Sequence, residues 1–509
     1  MRGVSSSPPP QRNAAAQESS AILAGPDIAS RVVRGGAMRV VGFGVVNVMG
    51  VIGSVVLLRH LGVGDFGRYG TVIALVGIVS GISDAGLTIT ASRELALLPR
   101  GPERRQLLSA VLGVRLLLST AAVLTAVLFA AAAGYDEAMV AGTLLAGVGA
   151  ILIAAQSTLT LPLGVDLKNG LLTLSDVIKQ VILVIGLLAL AAAGASLVPF
   201  FAVQVAVGIG ALLAVPALVD RIYIGWPSFS REAWRRLAVT ALPIALASVL
   251  TVLYVRLLVV ISSLLTTDFE TGLFVTSARI VEMLGGFAML LMGVILPVAT
   301  VAARDDRPRL RYVVARTTHV AMLVGAAISL VCIVGARPIV IVLGGEEFEA
   351  AAPVLRLQAA AVLTIFLVYP WTAFLIADGR RRELVRCMLI GLVCVVVAGV
   401  VLISLFDAQG AALAAVLADV VLAFTVMFAV RAVSDGDWPI AAGYFARFCV
   451  ALALGAAAAG AVLAVAPAVA AAAIGAAVFA AAAAVLRLVP EEITALVPRP
   501  GPGEAPPRA

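Results

Sequence analysis

The chain has 509 residues, 62% of them hydrophobic and 13% charged, with 36 basic against 29 acidic side chains and a formal net charge of +7. A soluble domain is about 45–50% apolar and about 25% charged, so this composition excludes a soluble protein. No polar stretch is long enough for a fused kinase, nucleotide-binding cassette or extracellular catalytic domain.

At about 20 residues per bilayer crossing, the apolar content supplies roughly 14 spans. Residues 1–34 read as a disordered cytoplasmic tail, with a Ser/Pro run from Ser5 to Pro10 and too little apolar content to bury. No apolar region suited to a cleaved signal precedes Arg39, so the first span is expected to be an uncleaved anchor. Spans are predicted at 37–58, 70–90, 107–132, 139–162, 171–193 and 197–219. A second set follows at 237–264, 272–300, 314–335, 352–376, 385–405 and 410–431, and a final Ala-rich pair at 442–465 and 468–487. The fold class is therefore an all-α polytopic membrane protein of about 14 transmembrane helices. Its expected division is an N-lobe at 35–220, a C-lobe at 221–432, a helix pair at 433–488 and a disordered cytoplasmic tail at 489–509.

Connections alternate between basic and nearly neutral. Arg93, Arg100, Arg104 and Arg105, then Lys168, then Arg221, Arg231, Arg235 and Arg236 lie on one side; so do Arg304, Arg307, Arg309 and Arg311, then Arg380, Arg381, Arg382 and Arg386, then Arg431. The opposite connections hold Arg59, Arg68 and Arg337. The positive-inside rule then places both termini in the cytoplasm and makes the span count even. The basic excess marks cytoplasmic loops, with no nucleic-acid partner implied. The longer outer stretch from Arg337 to Pro353 carries Glu346, Glu347 and Glu349, which read as a solvated loop end. Cys332, Cys387, Cys394 and Cys449 fall in or beside apolar runs and are expected to be fillers, with neither disulfides nor a metal site.

An internal repeat is visible. Leu61-Gly-Val-Gly-Asp-Phe-Gly-Arg-Tyr69 follows the first span and Leu265-Thr-Thr-Asp-Phe-Glu-Thr-Gly-Leu-Phe274 follows the seventh. Gly67 and Gly272 are 205 residues apart, as are Arg104 and Arg309. Six spans return a chain to its starting side, so the repeats form two lobes of the same orientation, a transporter design with the substrate site between them.

These stretches, with Asp84-Ala-Gly86, Gly272-x-Phe274, Leu343-Gly-Gly-Glu-Glu-Phe348, Ala351-Ala-Pro-Val-Leu355 and Leu375-Ile-Ala-Asp-Gly-Arg380, resemble the polysaccharide biosynthesis flippases over about residues 35–435. The resemblance implies the V-shaped, two-lobed fold of the superfamily that also holds multidrug exporters and lipid II flippases. It further implies transport of a polyprenyl-pyrophosphate-linked glycan repeat unit across the cytoplasmic membrane, with membrane lipids and glycan-assembly enzymes as partners. Members often carry an acidic residue just after the Tyr-x-Arg stretch of the seventh span. Here Tyr254-Val-Arg256 is followed by Leu257 and Leu258, which puts coupling through that carboxylate in doubt.

Charges inside spans are costly and usually face a cavity or a partner. Arg115 and Lys179 lie about 12 Å from one end of their spans, and Arg256, Arg279 and Arg356 within about 12 Å of the other. They are expected to bind an anionic head group in two tiers, Arg pairing with phosphate as a fork. Asp176, Glu282 and Asp419 are candidates for coupling to H+ or Na+, with no other cofactor implied. Asp176 and Lys179, and Arg279 and Glu282, are also spaced to pair locally, and Arg356 and Arg115 to snorkel. Asp84 reads as a helix-end residue, His60 and His319 as interfacial. Pro243 and Pro297 can bend spans seven and eight, and Gly42, Gly44, Gly50 and Gly53 favour close helix contact on span one.

No Gly-x-x-x-x-Gly-Lys-Ser/Thr loop occurs, so a secondary carrier rather than an ATP-driven pump or an enzyme is expected, with no catalytic residue. Two other readings stand beside it. A multidrug exporter would favour an acidic, aromatic cavity; a membrane-embedded glycosyltransferase or polymerase would need a sizeable outer loop with catalytic carboxylates.

Overall fold

The computed structural model describes residues 26–489 apart from 85, 230, 434, 435 and 437, without the side chains of 26–37, 40, 231–233, 236–241, 243, 244, 294 and 305. Most of both predicted tails, and the Pro243 side chain, lie outside the described residues. The first half contains α1 Pro26–Asp84, α2 Leu87–Leu97, α3 Pro102–Ala132, α4 Glu137–Leu159, α5 Leu161–Val165, α6 Asn169–Ala192 and α7 Leu197–Leu218. The second contains α8 Arg231–Leu265, α9 Asp268–Asp305, α10 Arg307–Val334, α11 Ala336–Gly344, α12 Ala352–Gln358, α13 Ala361–Ala377 and α14 Arg381–Val433. The pair α15 Ala442–Leu463 and α16 Ala468–Val485 follows.

Two of these helices are too long to be single crossings. The 59 residues of α1 would reach about 88 Å as a rod, against a hydrocarbon core about 30 Å thick. The rod is broken at Gly62, whose φ of 70° and ψ of 177° are open to glycine. Val46 and Ile73 line one cavity, although a straight helix would hold them about 40 Å apart. The chain therefore doubles back, and 26–61 and 63–84 are two spans. In α14 the break is Asp407 (φ 48°, ψ −128°), and a Cβ on Gly410 would run into the Leu402 carbonyl, so this helix also turns on itself. Among the described residues eleven helices are long and apolar enough to cross a membrane, two of them double, and Glu346–Gln358 with α13 forms one further span bent by 50°. That makes the fourteen crossings expected. Exposed apolar side chains such as Leu128, Leu213, Val397 and Phe428 give the bundle a lipid-facing surface, since backbone polar groups are satisfied within helices.

Short connections come from local chemistry. After α3 the Tyr135 amide bonds the Ala130 carbonyl and the Gly134 amide that of Ala131, with Gly134 at φ 78°. This is the left-handed helix stop that glycine favours, and Ala195 and Gly194 repeat it after α6. Asp136 then caps α4 through the Met139 amide at 2.8 Å, and Thr267 caps α9 through that of Glu270 at 3.3 Å.

Both halves pair their spans alike. Span one lies on span five through Gly42–Thr173 and Gly53–Leu187, and span seven on span eleven through Gly399–Leu258. Span four lies on span three through Gly147–Val123, and span ten on span nine through Gly325–Phe366. Between the lobes, span two meets span seven where Gly81 faces Val252, and span one meets span eight where Gly286 faces Phe43 and Asn47. Two lobes related by a repeat account for this pattern.

Three local expectations differ. Residues 26–34 already belong to helix α1, so this part is helical rather than tail. The second span stops at Asp84, before residue 90, because Gly86 takes φ 70° and the chain restarts as α2. The stretch 337–353 is folded into α11 and a 3-10 turn, Glu346–Ala351. Its Phe348 is fully buried against Phe66 of the other lobe, and Glu349 pairs with Arg337 at 2.9 Å.

At the basic end of the bundle each lobe is stapled by one buried aspartate. Asp166 takes Arg104 at 3.0 Å and Arg100 at 3.2 Å; Asp378 takes Arg307 at 2.6 Å and Arg380 at 2.7 Å. These join the connection before the lobe's third span to the one before its fifth. Asp378→Asn leaves two arginines short of a charged acceptor and is expected to destabilise the protein by about 1–3 kcal/mol, read as a lower melting temperature in detergent.

Candidate functional site

The repeat glycines meet at the turn end of the bundle, where Gly62 and Asp407 lie. A Cβ on Gly67 would strike the Asp268 carbonyl, and one on Gly272 the Val63 carbonyl. The two positions 205 residues apart thus let the lobes touch backbone to backbone. Beside them Arg68 holds Asp268 of the second lobe at 2.7 Å, and Asp136 and Asp65 of the first at 3.3 and 3.4 Å. Sequence reading counted Arg68 only as a loop charge. Its signal was there: a lone basic residue inside the repeat motif, on the nearly neutral side, with an aspartate at a helix start in each lobe.

Behind this closure lies a cavity of about 360 Å³ lined by spans one, two, five, six, seven and eight. Its polar side chains are Asn47, Ser54, Tyr69, Gln180, Gln204, Arg256, Arg279 and Glu282. Arg256 Nη1 lies 2.9 Å from Glu282 Oε1, and Arg279 Nη1 lies 3.5 Å from Glu282 Oε2. Arg279 Nε also donates to Ser54 Oγ across the lobe boundary at 3.2 Å. Gly77 lets Arg256 lie along span two: a Cβ there would come within 3.4 Å of its Nε. One carboxylate thus bridges two guanidiniums and leaves a net single positive charge. Each guanidinium has five N–H donors, so most point elsewhere than Glu282.

The other expected site residues are placed apart from this cavity. Arg115 is buried inside the first lobe, paired with Asp84 at 2.8 Å and donating to Thr88 and Thr158 at 3.1 and 3.3 Å. Asp84 also accepts from Thr88, fastening the end of span two to spans three and four. Lys179 pairs with Asp176 on its own helix at 2.8 Å, while its neighbour Gln180 faces the cavity. Arg356 is exposed on α12. Of the five basic residues of the two-tiered array, Arg256 and Arg279 line the cavity, while Arg115 and Lys179 are paired within the first lobe and Arg356 lies at the surface of the second. Asp419 accepts a hydrogen bond from Tyr254, joining spans twelve and seven inside the second lobe. Among the described residues no cluster of three His, Cys, Asp or Glu could hold a metal ion.

The fold and its motifs have relatives. A family model described as polysaccharide biosynthesis protein matches residues 32–301, more than half of the chain. The chain belongs to this polysaccharide biosynthesis family. No curated protein matches it significantly. Among solved structures, the lipid II flippase MurJ in an inward closed conformation aligns with a TM-score of 0.70 at 12% identity, covering 90% of this chain and 100% of that one. An inward-facing multidrug resistance MATE family transporter of the MOP superfamily aligns at 0.59 with 14% identity, covering 79% and 98%. A MOP superfamily transporter from Pyrococcus furiosus aligns at 0.52 with 15% identity, covering 79% and 95%. At these identities the likeness is one of fold. This member of the polysaccharide biosynthesis family is thus a multi-pass membrane protein that shares the fold of those structures, with its polar cavity between two lobes.

Proposed function

We propose that the protein is a secondary flippase that carries a polyprenyl-pyrophosphate-linked oligosaccharide across the cytoplasmic membrane by alternating access. The observation that carries this reading is the pair of arginines, Arg256 and Arg279, in an interlobe cavity with a single carboxylate between them. A pyrophosphate offers the planar acceptor edges that guanidinium forks match, and neither arginine is fully occupied by Glu282. Charge alternation sets the basic end in the cytoplasm and the turn end outside. The contact of Gly67 and Gly272 then closes the outer side, and the head group enters from the cytoplasm while the prenyl chain stays in lipid. Rocking of the lobes about spans one, two, seven and eight would break that contact and expose the head group outside.

Energy comes from an ion gradient, the membrane potential or consumption of the product. Asp419, held by Tyr254 between spans seven and twelve, is the carboxylate placed to link protonation to second-lobe shape. Asp419→Asn is expected to leave substrate binding within about twofold of wild type while removing the dependence of transport on a proton gradient, measured in vesicles with and without an imposed gradient; an unchanged dependence would discard this residue as the coupling site.

The cellular test is deletion, with analysis of surface glycan and of prenyl-linked intermediates. The reading requires intermediates trapped on the cytoplasmic face. Loss of drug resistance with normal surface glycan would favour an exporter, and purified protein that lengthened a prenyl-linked glycan would make it an enzyme.

A further inference from the structure

Away from the central cavity, a shallow cavity of about 740 Å³ opens at the basic end of the second lobe. Its charged lining is Arg307, Arg380, Arg381, Arg382 and Arg386 against Asp378 and Glu383, an excess of three positive charges. The two carboxylates are already engaged: Asp378 by Arg307 and Arg380, Glu383 by Arg380 at 3.6 Å. Among the described residues Arg381, Arg382 and Arg386 make no ion pair, and all three are exposed.

The repeat supplies an internal comparison. The first lobe carries the same staple, Asp166 with Arg104 and Arg100, but the chain then continues Leu167-Lys168-Asn169-Gly170. Its one basic residue, Lys168, is paired with Asp220 at 3.3 Å. Fastening the two connections of a lobe therefore requires the aspartate and its arginine, and nothing like Arg381, Arg382 and Arg386. Those three are surplus to the staple. Their repulsion within one cavity is a cost that an anionic ligand would remove.

Position and chemistry specify the ligand. Arg381 opens α14 and Arg307 opens α10, both membrane-crossing helices, so the cavity lies at the level where the apolar spans meet water. Phosphates of lipid head groups occupy that level, and clustered arginines beside a span attract them. Guanidinium forks match phosphate oxygens in pairs, and the first-turn N–H groups of α14 add to the positive field. We propose that this cavity is a second, phosphate-binding site, confined to the second lobe and separate from the central cavity. The phosphate could come from an anionic membrane lipid or from a soluble pyrophosphate. Since every lining residue belongs to one lobe, the bound group would move with that lobe rather than cross between lobes.

The test uses the purified full-length protein. Wild type, the triple variant R381Q/R382Q/R386Q and a first-lobe comparator R93Q/R100Q/K168Q, which removes the same charge, are placed in phosphatidylcholine nanodiscs. One arm adds phosphatidylglycerol and counts retained lipid by native mass spectrometry; the other titrates inorganic pyrophosphate and follows melting temperature. The expected result is a loss of at least about tenfold in affinity for one or both ligands in the triple variant, with less than about twofold change in the comparator. Retention of phosphatidylglycerol alone identifies a lipid source, and a response to pyrophosphate in pure phosphatidylcholine a soluble one. Equal losses in the two variants, or no binding of either ligand by wild type, would overturn the proposal. If the triple variant does not fold, R386Q and R381K/R382K take its place: the first should weaken binding, and the second should do so less, by keeping charge while losing the fork. In an R256Q/R279Q background, which removes the guanidiniums of the central cavity, the triple substitution should still lower binding by at least about tenfold, which separates this site from the flippase reading.

Discussion

Arg256→Gln is expected to reduce glycan export at least about tenfold while the protein still accumulates and melts near the wild-type temperature. The side chain reaches the cavity between the lobes, with one contact to Glu282 at 2.9 Å and donors to spare. A hydrogen bond to a charged group contributes about 1.5–3 kcal/mol, or roughly 10- to 150-fold in affinity for an anionic head group. Arg279→Gln should act in the same direction and also remove the contact to Ser54. Glu282→Gln distinguishes a ligand site from a structural ion pair. If the arginines serve to hold Glu282, its neutralisation should lower stability and transport together. If they serve an anion, the variant should bind the head group more tightly, because the competing carboxylate is gone, and release it more slowly. Binding of a polyprenyl pyrophosphate to the three purified variants decides between the two.

The second large effect belongs to the turn end. Gly67→Ala or Gly272→Ala puts a methyl group into a backbone carbonyl of the opposite lobe, and neither backbone can yield as a flexible side chain would. Overpacking of this kind costs about 1–3 kcal/mol, paid only in the closed state, so the outward-open population should rise roughly 5- to 150-fold. Arg68→Gln, which releases Asp268 and Asp136, should shift it the same way by less, since these side chains are partly solvated. The measurement is labelling of Val63→Cys, in a background lacking the native cysteines, by a membrane-impermeant maleimide added from outside. Val63 is 6% exposed in the closed bundle. Faster labelling with slower glycan export is the expected pair of results; unchanged labelling would mean that this contact does not gate the lobes.

How much of this was legible in the sequence follows from the range of the forces involved. Span number and lobe order were, because hydropathy, alternating loop charge and the 205-residue repeat are properties of the chain itself. The termination of span two at Asp84 was half legible: Asp84 was recognisable as a helix-end residue, but its hold on Arg115 depends on span three arriving beside it. For the same reason Arg115 could be placed at a depth and not on a face. Arg256 had no acidic neighbour within a helical turn and so read as facing a cavity; its partner Glu282 lies on the next helix, at a register that sequence spacing does not encode. The roles of Gly67 and Gly272 were hidden most completely. Their repetition was plain, yet that they meet each other is a consequence of the pseudo-symmetry that brings equivalent ends of two lobes to one axis.

The central claim is that the interlobe arginines carry an anionic lipid-linked group across the membrane. Its most direct test is a flipping assay in proteoliposomes of purified protein, with a polyprenyl-pyrophosphate-linked saccharide whose exposure on each leaflet is read by a membrane-impermeant sugar-modifying probe. Wild type should equilibrate the substrate between leaflets, and R256Q/R279Q should fall to the rate of protein-free liposomes. Equal rates for wild type and the double variant, or no movement above the protein-free rate by wild type, would contradict the account.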